Sequence, residues 1–218
     1  MSHGREGETL AQELLAILQS RWASDRPTRP VVGFAGESGS GKSVSADSLA
    51  AAFTAVGVRA LVLNQDNYFV LPPRTNHERR LESLTYVGPD EVNLALLSMH
   101  IDAFRAKAAT VSGPLVDYPG NRFLTRLFDF SAADLLIVEG TYVLQLADLD
   151  ARVFFAATYK DNEPRRKARK RDLDVPIISR ILAIEHDIIA RQAAVADVLI
   201  DSHFAIVRRR QDHAVDSA

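Results

Sequence analysis

Apolar residues recur along this chain in short blocks and in stripes at helical spacing, and this alternation predicts an α/β protein. Five apolar runs are bounded by proline, glycine or polar residues, as buried strands are. They span residues 31–35, 58–63, 135–138, 153–156 and 198–200. The remaining patterns predict helices at about residues 10–22, 42–55, 91–107 and 176–194. Strands that alternate with helices predict a three-layer α/β/α sandwich around a five-stranded, mostly parallel sheet.

Two stretches lack a regular apolar pattern. Residues 70–90 and 113–126 carry prolines, glycines and charged residues, so we expect irregular loops there. The region around the first two predicted strands is different, because strand, loop, helix and strand follow one another within about 30 residues. That order predicts a βαβ unit whose strands run parallel.

The composition excludes several classes of function. The 218 residues include 26 Lys and Arg, 28 Asp and Glu, and no Cys. The net charge of −2 argues against a surface built mainly for nucleic acid. The absence of cysteine excludes disulfides, thiolate zinc sites and cysteine nucleophiles, and it suits a cytoplasmic protein. No apolar run is long enough to span a bilayer, so we expect no membrane partner.

The most informative motif is an octapeptide that matches G-x-x-x-x-G-K-[ST] at every fixed position. Its residues are Gly36, Glu37, Ser38, Gly39, Ser40, Gly41, Lys42 and Ser43. The glycines let backbone N–H groups point at phosphate oxygens, and the helix that begins there, with Val44 in its first turn, directs its positive dipole end at the same anion. Lys42 would reach the β- and γ-phosphates, and the Ser43 hydroxyl would ligate Mg²⁺. The motif alone leaves a kinase, a GTPase switch and a mechanical ATPase open.

One further match points to GTPases. Asp117-Tyr118-Pro119-Gly120 fits the D-x-x-G pattern of those proteins. However, no long apolar strand precedes Asp117, and no N-K-x-D motif for reading guanine follows it. We therefore interpret this stretch as a loop.

Two carboxylates follow predicted strands. Asp66 comes directly after the second strand, at the edge where open α/β sheets bind ligands, and it could act as general base toward an acceptor hydroxyl. An Asp in a polar turn or at a helix N-cap is the alternative. Glu139 follows the apolar run Leu135–Val138, as the acidic residue of a Walker B element does, so we expect it to hold Mg²⁺ through water beside the phosphate loop.

A strongly basic stretch follows the fourth predicted strand. Residues 165–171 hold six cations in seven positions. Nucleic-acid binding, a solvated helix and a lid that closes over ATP are three interpretations of this stretch. Because the positive charge is local in a slightly acidic chain, we favour the lid, whose arginines would neutralise charge on the moving phosphoryl group.

Together these segments resemble the uridine kinase and phosphoribulokinase family of P-loop kinases. The resemblance runs from about residue 30 to residue 201. The matching segments are the phosphate loop, Gln65-Asp66-Asn67-Tyr68-Phe69, Val138-Glu139-Gly140, the basic stretch ending Arg171-Asp172, and Ala196-Asp197-Val198-Leu199-Ile200. The resemblance implies a P-loop NTPase fold like that of nucleoside and nucleotide kinases. It also implies an ATP- and Mg²⁺-dependent kinase that phosphorylates a hydroxyl group of a small molecule.

The resemblance implies roles for individual residues. Asp66 would be the base and Lys42 would contact the transferring phosphoryl group, with Arg165, Arg169 and Arg171 closing on that group. Ser43 and Glu139 would hold the metal, and His203 would lie near the adenine. Candidates for contacting the acceptor are Asp66, Tyr68, Arg74, Asp117, Tyr118 and Arg122.

The sequence departs from the family on the acceptor side. The nucleoside kinases of the family carry an Asp that binds the ribose hydroxyls, and Val87 stands at that position here. A Val side chain cannot accept a hydrogen bond, so ribose recognition must change or move. The acceptor therefore stays open among nucleosides, sugars, sugar phosphates and vitamin precursors.

The predicted organisation is one kinase domain with short additions. We expect an N-terminal helix and linker over residues 1–29, the domain over 30–204 with a lid around 160–175, and a tail over 205–218. The expected partners are ATP and an alcohol, with no nucleic acid, and a homo-oligomer is left open. The alternative function is an ATPase or regulatory nucleotide-binding protein without a small-molecule acceptor.

Overall fold

The computed structural model describes residues 2–25, 27–163 and 176–209. In these ranges the strands are β1 Val31–Gly36, β2 Ala60–Asn64, β3 Val111–Asp117, β4 Arg122–Phe128, β5 Leu135–Gly140, β6 Ala151–Phe155, β7 Val198–Ile200 and β8 Ile206–Arg209. The α-helices are α1 Ser2–Arg21, α2 Lys42–Ala55, α3 Pro73–Glu82, α4 Leu94–Arg105 and α5 Pro176–Ile189. None of these helices is long and apolar enough to cross a membrane.

Six strands form one sheet in the order β2-β5-β1-β6-β7-β8. The first five run parallel, and β8 pairs antiparallel with β7 at the edge. Residues 206–209, which we expected in a C-terminal tail, therefore extend the predicted five-stranded sheet to six strands. β3 and β4 form a separate antiparallel hairpin.

The central strand β1 shows how the sheet is held between two apolar layers. All six of its residues are buried, and they alternate between the two faces. Val32 and Phe34 pack in one cluster with α1 and α2, whereas Val31 and Ala35 belong to a cluster with α4, Phe128 and Phe130. Burial of each large apolar side chain contributes about 1.5–3 kcal/mol, so the uninterrupted apolar run of β1 stabilises both layers.

Two elements appear where loops were expected. α3 lies in the 70–90 stretch; it begins at Pro73 in the first helical turn, and Asn76 is its only buried residue. The β3–β4 hairpin occupies the 113–126 stretch, and β4 is mostly exposed. Neither element has a continuous apolar face, and a periodicity argument needs such a face to detect an element.

The fold brings several loops to one edge of the sheet. β1, β2 and β5 are adjacent and parallel, so the segments after Gly36, Asn64 and Gly140 lie side by side. The segment after β7 also lies at this edge, because the Phe204 ring contacts Gly41. Ligands of open α/β sheets bind at this carboxyl edge.

Candidate active site

The phosphate loop connects β1 to α2, and glycines shape it. Gly39 has a φ of 81° and Gly41 a φ of 97°, in the region that favours glycine. A Cβ atom at Gly41 would lie 2.5 Å from the Phe204 ring. Conformation and space therefore both require glycine at position 41.

The end of this loop leaves polar groups available to an anion. Gly41 caps α2 without a side chain, so no cap hydrogen bond occupies the first N–H groups of the helix. The Ser40 Oγ is buried and has no hydrogen-bond partner within the described part of the chain. Of the other residues predicted to bind the nucleotide, Ser38 and Val44 are exposed. Gly36 lies against Phe155 of β6. The loop fits a phosphate group, because N–H groups without a side-chain cap and a helix dipole both favour negative charge.

Lys42, Ser43 and Glu139 converge beside the loop. Glu139 is buried at the end of β5, aligned with Phe34 on β1 and Asn64 on β2. Burial raises the pKa of Glu139, and the Lys42 cation and a hydrogen bond with Ser43 oppose that rise. The charge of Asp66 adds to the rise, and Asn64, two residues before Asp66, is paired with Glu139 in the β2–β5 register.

The oxygen atoms of this group suit Mg²⁺. Mg²⁺ prefers hydroxyl, carboxylate, phosphate and water oxygens, and it commonly takes only one or two ligands from the protein. Ser43 and Glu139 match that preference. The described residues contain no group of three or more His, Asp or Glu side chains able to hold a metal ion by themselves. A metal here would therefore draw its remaining ligands from phosphate groups and water.

Asp66 lies in a short 3₁₀ helix, residues 65–68, directly after β2. The Asn64 Oδ1 accepts a hydrogen bond from the Asp66 backbone N–H at 2.7 Å, which caps this turn. The Tyr118 hydroxyl donates to the Asp66 Oδ2 at 3.2 Å. The carboxylate is half-buried and faces a cavity, so it can meet a small molecule.

The neighbours of Asp66 anchor its turn. The Gln65 amide accepts from the backbone N–H of Tyr142 at 2.8 Å and donates to the Thr141 hydroxyl at 2.9 Å. The Asn67 Oδ1 accepts from the backbone N–H of Val116 at 2.9 Å. Sequence reasoning did not assign these positioning roles, because their partners lie 49 to 77 residues away.

The structure places Tyr68 differently from the prediction. We expected it to contact the acceptor, but its side chain is buried in the core and its hydroxyl lies 2.7 Å from the His100 Nδ1. Burial also raises the pKa of Tyr68. The ring anchors the turn of Asp66 to α4, and the apolar environment that holds it keeps it out of the cavity.

A cavity of about 540 Å³ opens beside Asp66. It is lined by Asp66, Phe69, Pro73, Arg74, Asn76, His77, Arg80 and Tyr118. The structure thus brings together three of the predicted acceptor residues: Asp66, Arg74 and Tyr118. His77, which the sequence analysis did not select, also lines this space. Arg74, His77 and Arg80 are spaced three residues apart. Residues with this spacing lie on the same face of a helix, so the spacing becomes informative only when α3 is known to be a helix.

Asp117 and Arg122 lie at the hairpin turn and do not line this cavity. They are paired in the β3–β4 register, and the Arg122 Nε donates to the Asp117 carboxylate at 2.9 Å. A hydrogen bond from the Gly120 backbone N–H, together with Arg122, lowers the pKa of Asp117. The D-x-x-G match is therefore a hairpin turn, as the loop interpretation predicted. Asn121 links this turn to α3 by accepting from the Arg74 backbone N–H at 2.7 Å.

Val87 does not face the cavity either. It is buried in a small cluster with Ile178 and Ile181 of α5. At position 87 the chain therefore has an apolar contact with α5.

The residue predicted to lie near the adenine, His203, is followed by Phe204, which contacts the phosphate loop. His203 is exposed in the segment that follows β7, and its backbone N–H donates to the Asp201 Oδ1 at 2.9 Å. It is Phe204, with a φ of 63°, whose ring reaches the phosphate loop. The arginines predicted to close on the phosphoryl group, Arg165, Arg169 and Arg171, lie outside the described residues.

The chain is similar in sequence and in structure to known kinases. No family model matches the chain. A uridine kinase from Clostridium novyi (strain NT) is 28% identical over 181 residues, which cover 83% of this chain and 78% of that protein. The structure of a possible uridine kinase from Bacillus stearothermophilus matches with a TM-score of 0.62 at 19% identity, covering 91% of this chain and 99% of that one. Phosphoribulokinase from Rhodobacter spheroides matches with a TM-score of 0.59 at 15% identity, covering 80% and 70%.

These similarities confirm two predictions. The chain resembles uridine kinases in sequence and the uridine kinase and phosphoribulokinase structures in fold. The P-loop kinase fold with a mostly parallel central sheet is confirmed as well, with six strands in place of five.

Proposed function

We propose that this chain, a P-loop protein with the fold of uridine kinase-like enzymes, is an ATP-dependent kinase that transfers the γ-phosphoryl group to an alcohol. The position of Asp66 carries the proposal. Its carboxylate lines the 540 Å³ cavity, and the turn that carries it directly follows Asn64, which is paired with Glu139 in the β2–β5 register. A base between a phosphate site and a cavity for a small molecule is the arrangement that phosphoryl transfer to a hydroxyl requires.

We assign a separate role in the reaction to each group of residues in the site. Loop N–H groups and Lys42 would hold the phosphates of ATP. Ser43 and Glu139 would hold Mg²⁺, which when bound offsets the negative charge of those phosphates. Asp66 would accept the proton of the acceptor hydroxyl, while Tyr118 keeps its carboxylate oriented toward the cavity. Positioning of this kind supplies most of the catalysis in phosphoryl transfer.

The wall formed by α3 indicates what kind of acceptor fits. Within the described residues, neither the Arg74 guanidinium nor the His77 imidazole has a side-chain partner, although both line the cavity. Arg80 is different, because Glu91 and Glu185 both pair with it. An available Arg beside a His favours an acceptor that carries an anionic group in addition to its hydroxyl, such as a sugar phosphate or a hydroxy acid.

The decisive experiment is a screen of ATP consumption with Mg²⁺ across nucleosides, sugars, sugar phosphates and pantothenate-like alcohols. We expect one class of alcohol to stimulate ADP release strongly and to appear as a phosphorylated product. Anionic acceptors should exceed their neutral counterparts, for example a sugar phosphate over the free sugar. If ATP binds but no alcohol in the screen is phosphorylated, the proposal fails.

The alternative, an ATPase or regulatory protein without an acceptor, makes the opposite prediction. Such a protein would hydrolyse ATP at full rate in the absence of any alcohol. A kinase hydrolyses ATP slowly until the acceptor fills the cavity and excludes water. The uridine kinases similar to this chain favour the kinase. Location in the cytoplasm remains a prediction.

A further inference from the structure

Two neighbouring residues of α5 contact opposite halves of the candidate active site. The His186 Nδ1 lies 2.6 Å from the Glu37 Oε1 of the phosphate loop. The Glu185 Oε1 lies 3.0 Å from the Arg80 Nη2 on the wall of the acceptor cavity. Adjacent residues of a helix point about 100° apart, so one turn of α5 can reach both places.

Each contact involves a largely buried carboxylate, and the His186 side chain is 35% exposed. The Glu37 side chain is 8% exposed and the Glu185 side chain 13%. Hydrogen bonds to buried carboxylates are stronger and more specific in geometry than contacts between exposed groups. The position of α5 is therefore tied to the conformation of both partners.

Each contact continues into its half of the site. Glu37 is the second residue of the phosphate loop, and its carbonyl accepts from the Ser40 backbone N–H at 3.1 Å. On the other side, Arg80 also pairs with Glu91, and Glu91 accepts from the Asn76 side chain at 2.6 Å. Asn76 and Arg80 both line the cavity.

The rest of α5 is packed as a rigid element would be. Ile178 and Ile181 contact Val87, and the Ile188 side chain lies against Gly88. The His186 ring also packs edge-on against Tyr159, with 5.8 Å between the ring centres. Packed elements of this kind transmit displacement between sites, because their interfaces do not deform continuously.

We propose that Glu185 and His186 are positioning residues that couple occupancy of the phosphate loop to the order of the acceptor cavity. Phosphates in the loop fix Glu37, His186 holds α5 to it, and Glu185 then holds Arg80 and the wall of the cavity. The inference rests on the proposed binding of ATP at residues 36–43. It needs no contact between α5 and the reacting atoms.

The coupling can be measured without knowing the acceptor, by amide hydrogen exchange with and without a non-hydrolysable ATP analogue and Mg²⁺. In the wild-type protein we expect the analogue to slow exchange across residues 73–91 by about fivefold or more, the lower range of allosteric coupling. His186→Phe keeps a ring against Tyr159 but removes the donor to Glu37. Glu185→Gln keeps the shape but removes the charge that pairs with Arg80. Both should bind the analogue and lose most of this protection.

Two controls separate coupling from simple destabilisation. His186→Asn retains an N–H donor near the Nδ1 position and should recover much of the protection, while Asp187→Asn changes an exposed neighbour and should behave like the wild type. Urea unfolding of all variants would show whether a general loss of stability explains the exchange. Protection of residues 73–91 that persists in His186→Phe and Glu185→Gln would overturn the coupling. A wild-type protein that binds the analogue without this protection would overturn it too, whereas one that binds no analogue would refute the proposed function itself.

Discussion

The two halves of the candidate site are built in different ways. The phosphate half is local: eight consecutive residues between β1 and α2 supply the glycines, the lysine and the serine, and Glu139 joins them from the neighbouring strand β5. The acceptor half is assembled from α3, the turn after β2 and the β3–β4 hairpin. The first half depends on backbone conformation, and the second depends on distant contacts.

This difference affects how each half can vary. A backbone site for phosphate has few alternatives, because glycine conformations and a helix N-terminus define it. The acceptor half can change its ligand through side chains on α3 while the Asp66 turn stays anchored by Gln65, Asn67 and Tyr68. We therefore expect substitutions to affect nucleotide binding and acceptor binding separately.

The strongest test of this separation is Asp66→Asn. The substitution keeps size and polarity but removes the base, so we expect kcat to fall by about 10²- to 10⁴-fold, the usual contribution of general base catalysis. The affinity for ATP should stay within a few-fold, because Asp66 lies outside the phosphate loop. Single-turnover kinetics and nucleotide titration measure the two effects. Transfer to the acceptor at a near-normal rate would show that Asp66 is not the base.

Glu139→Gln should weaken the metal site and stabilise the fold. We expect the Mg²⁺ concentration for half-maximal activity to rise roughly 10- to 100-fold, as for loss of a group that orients metal ligands. Burial raises the pKa of Glu139, so the native state holds this proton more tightly than the unfolded state does. The stabilising effect of that proton is complete at low pH and is lost as pH rises through the raised pKa. The variant should therefore gain free energy of unfolding over the wild type at pH 8, and less so at pH 5.

Asp134 provides the matched control for Glu139. It directly precedes β5, at the opposite end of the strand, and hydrogen bonds from Arg59 lower its pKa. A lowered carboxyl pKa stabilises the fold above the unfolded pKa, and that effect is lost as pH falls. Asp134→Asn should bring no gain in stability at pH 8 and no change in Mg²⁺ dependence. Equal behaviour of the two variants in urea unfolding would contradict our account of Glu139.

Sequence patterns predicted the phosphate half more completely than the acceptor half, for a physical reason. A buried strand such as Val31–Gly36 and the helix after it have apolar periodicity, and the octapeptide lies where β1 and α2 require it. α3 and β4 are largely polar or exposed, so no periodicity revealed them. Tyr68 shows the same limit, since only the tertiary contact with His100 distinguishes a core tyrosine from one that contacts the acceptor.

The charge of the cavity wall can be tested on α3. Arg74→Ala should raise the KM for an anionic acceptor by about tenfold, since a hydrogen bond to a charged group contributes about 1.5–3 kcal/mol and this side chain is exposed. The KM for a neutral analogue of the same alcohol should change little. Arg79→Ala is the control, because Arg79 lies on the same helix, pairs with Glu82 and does not line the cavity. Equal losses for charged and neutral alcohols would remove the case for an anionic acceptor.

The smallest expected effect concerns the hydrogen bond between Tyr118 and Asp66. Tyr118→Phe removes a donor that lies 3.2 Å from the Asp66 carboxylate at a partly exposed position, so we expect kcat to fall only about two- to tenfold. Tyr86→Phe removes a hydroxyl at the same 3.2 Å distance from the Asn76 Oδ1, and it should leave kcat unchanged, because that bond does not reach the base. The contrast depends on geometry, since the two substitutions are chemically identical. If both variants lost the same activity, the effect of Tyr118 would come from packing of the cavity wall, and the hairpin would not contribute to the orientation of Asp66.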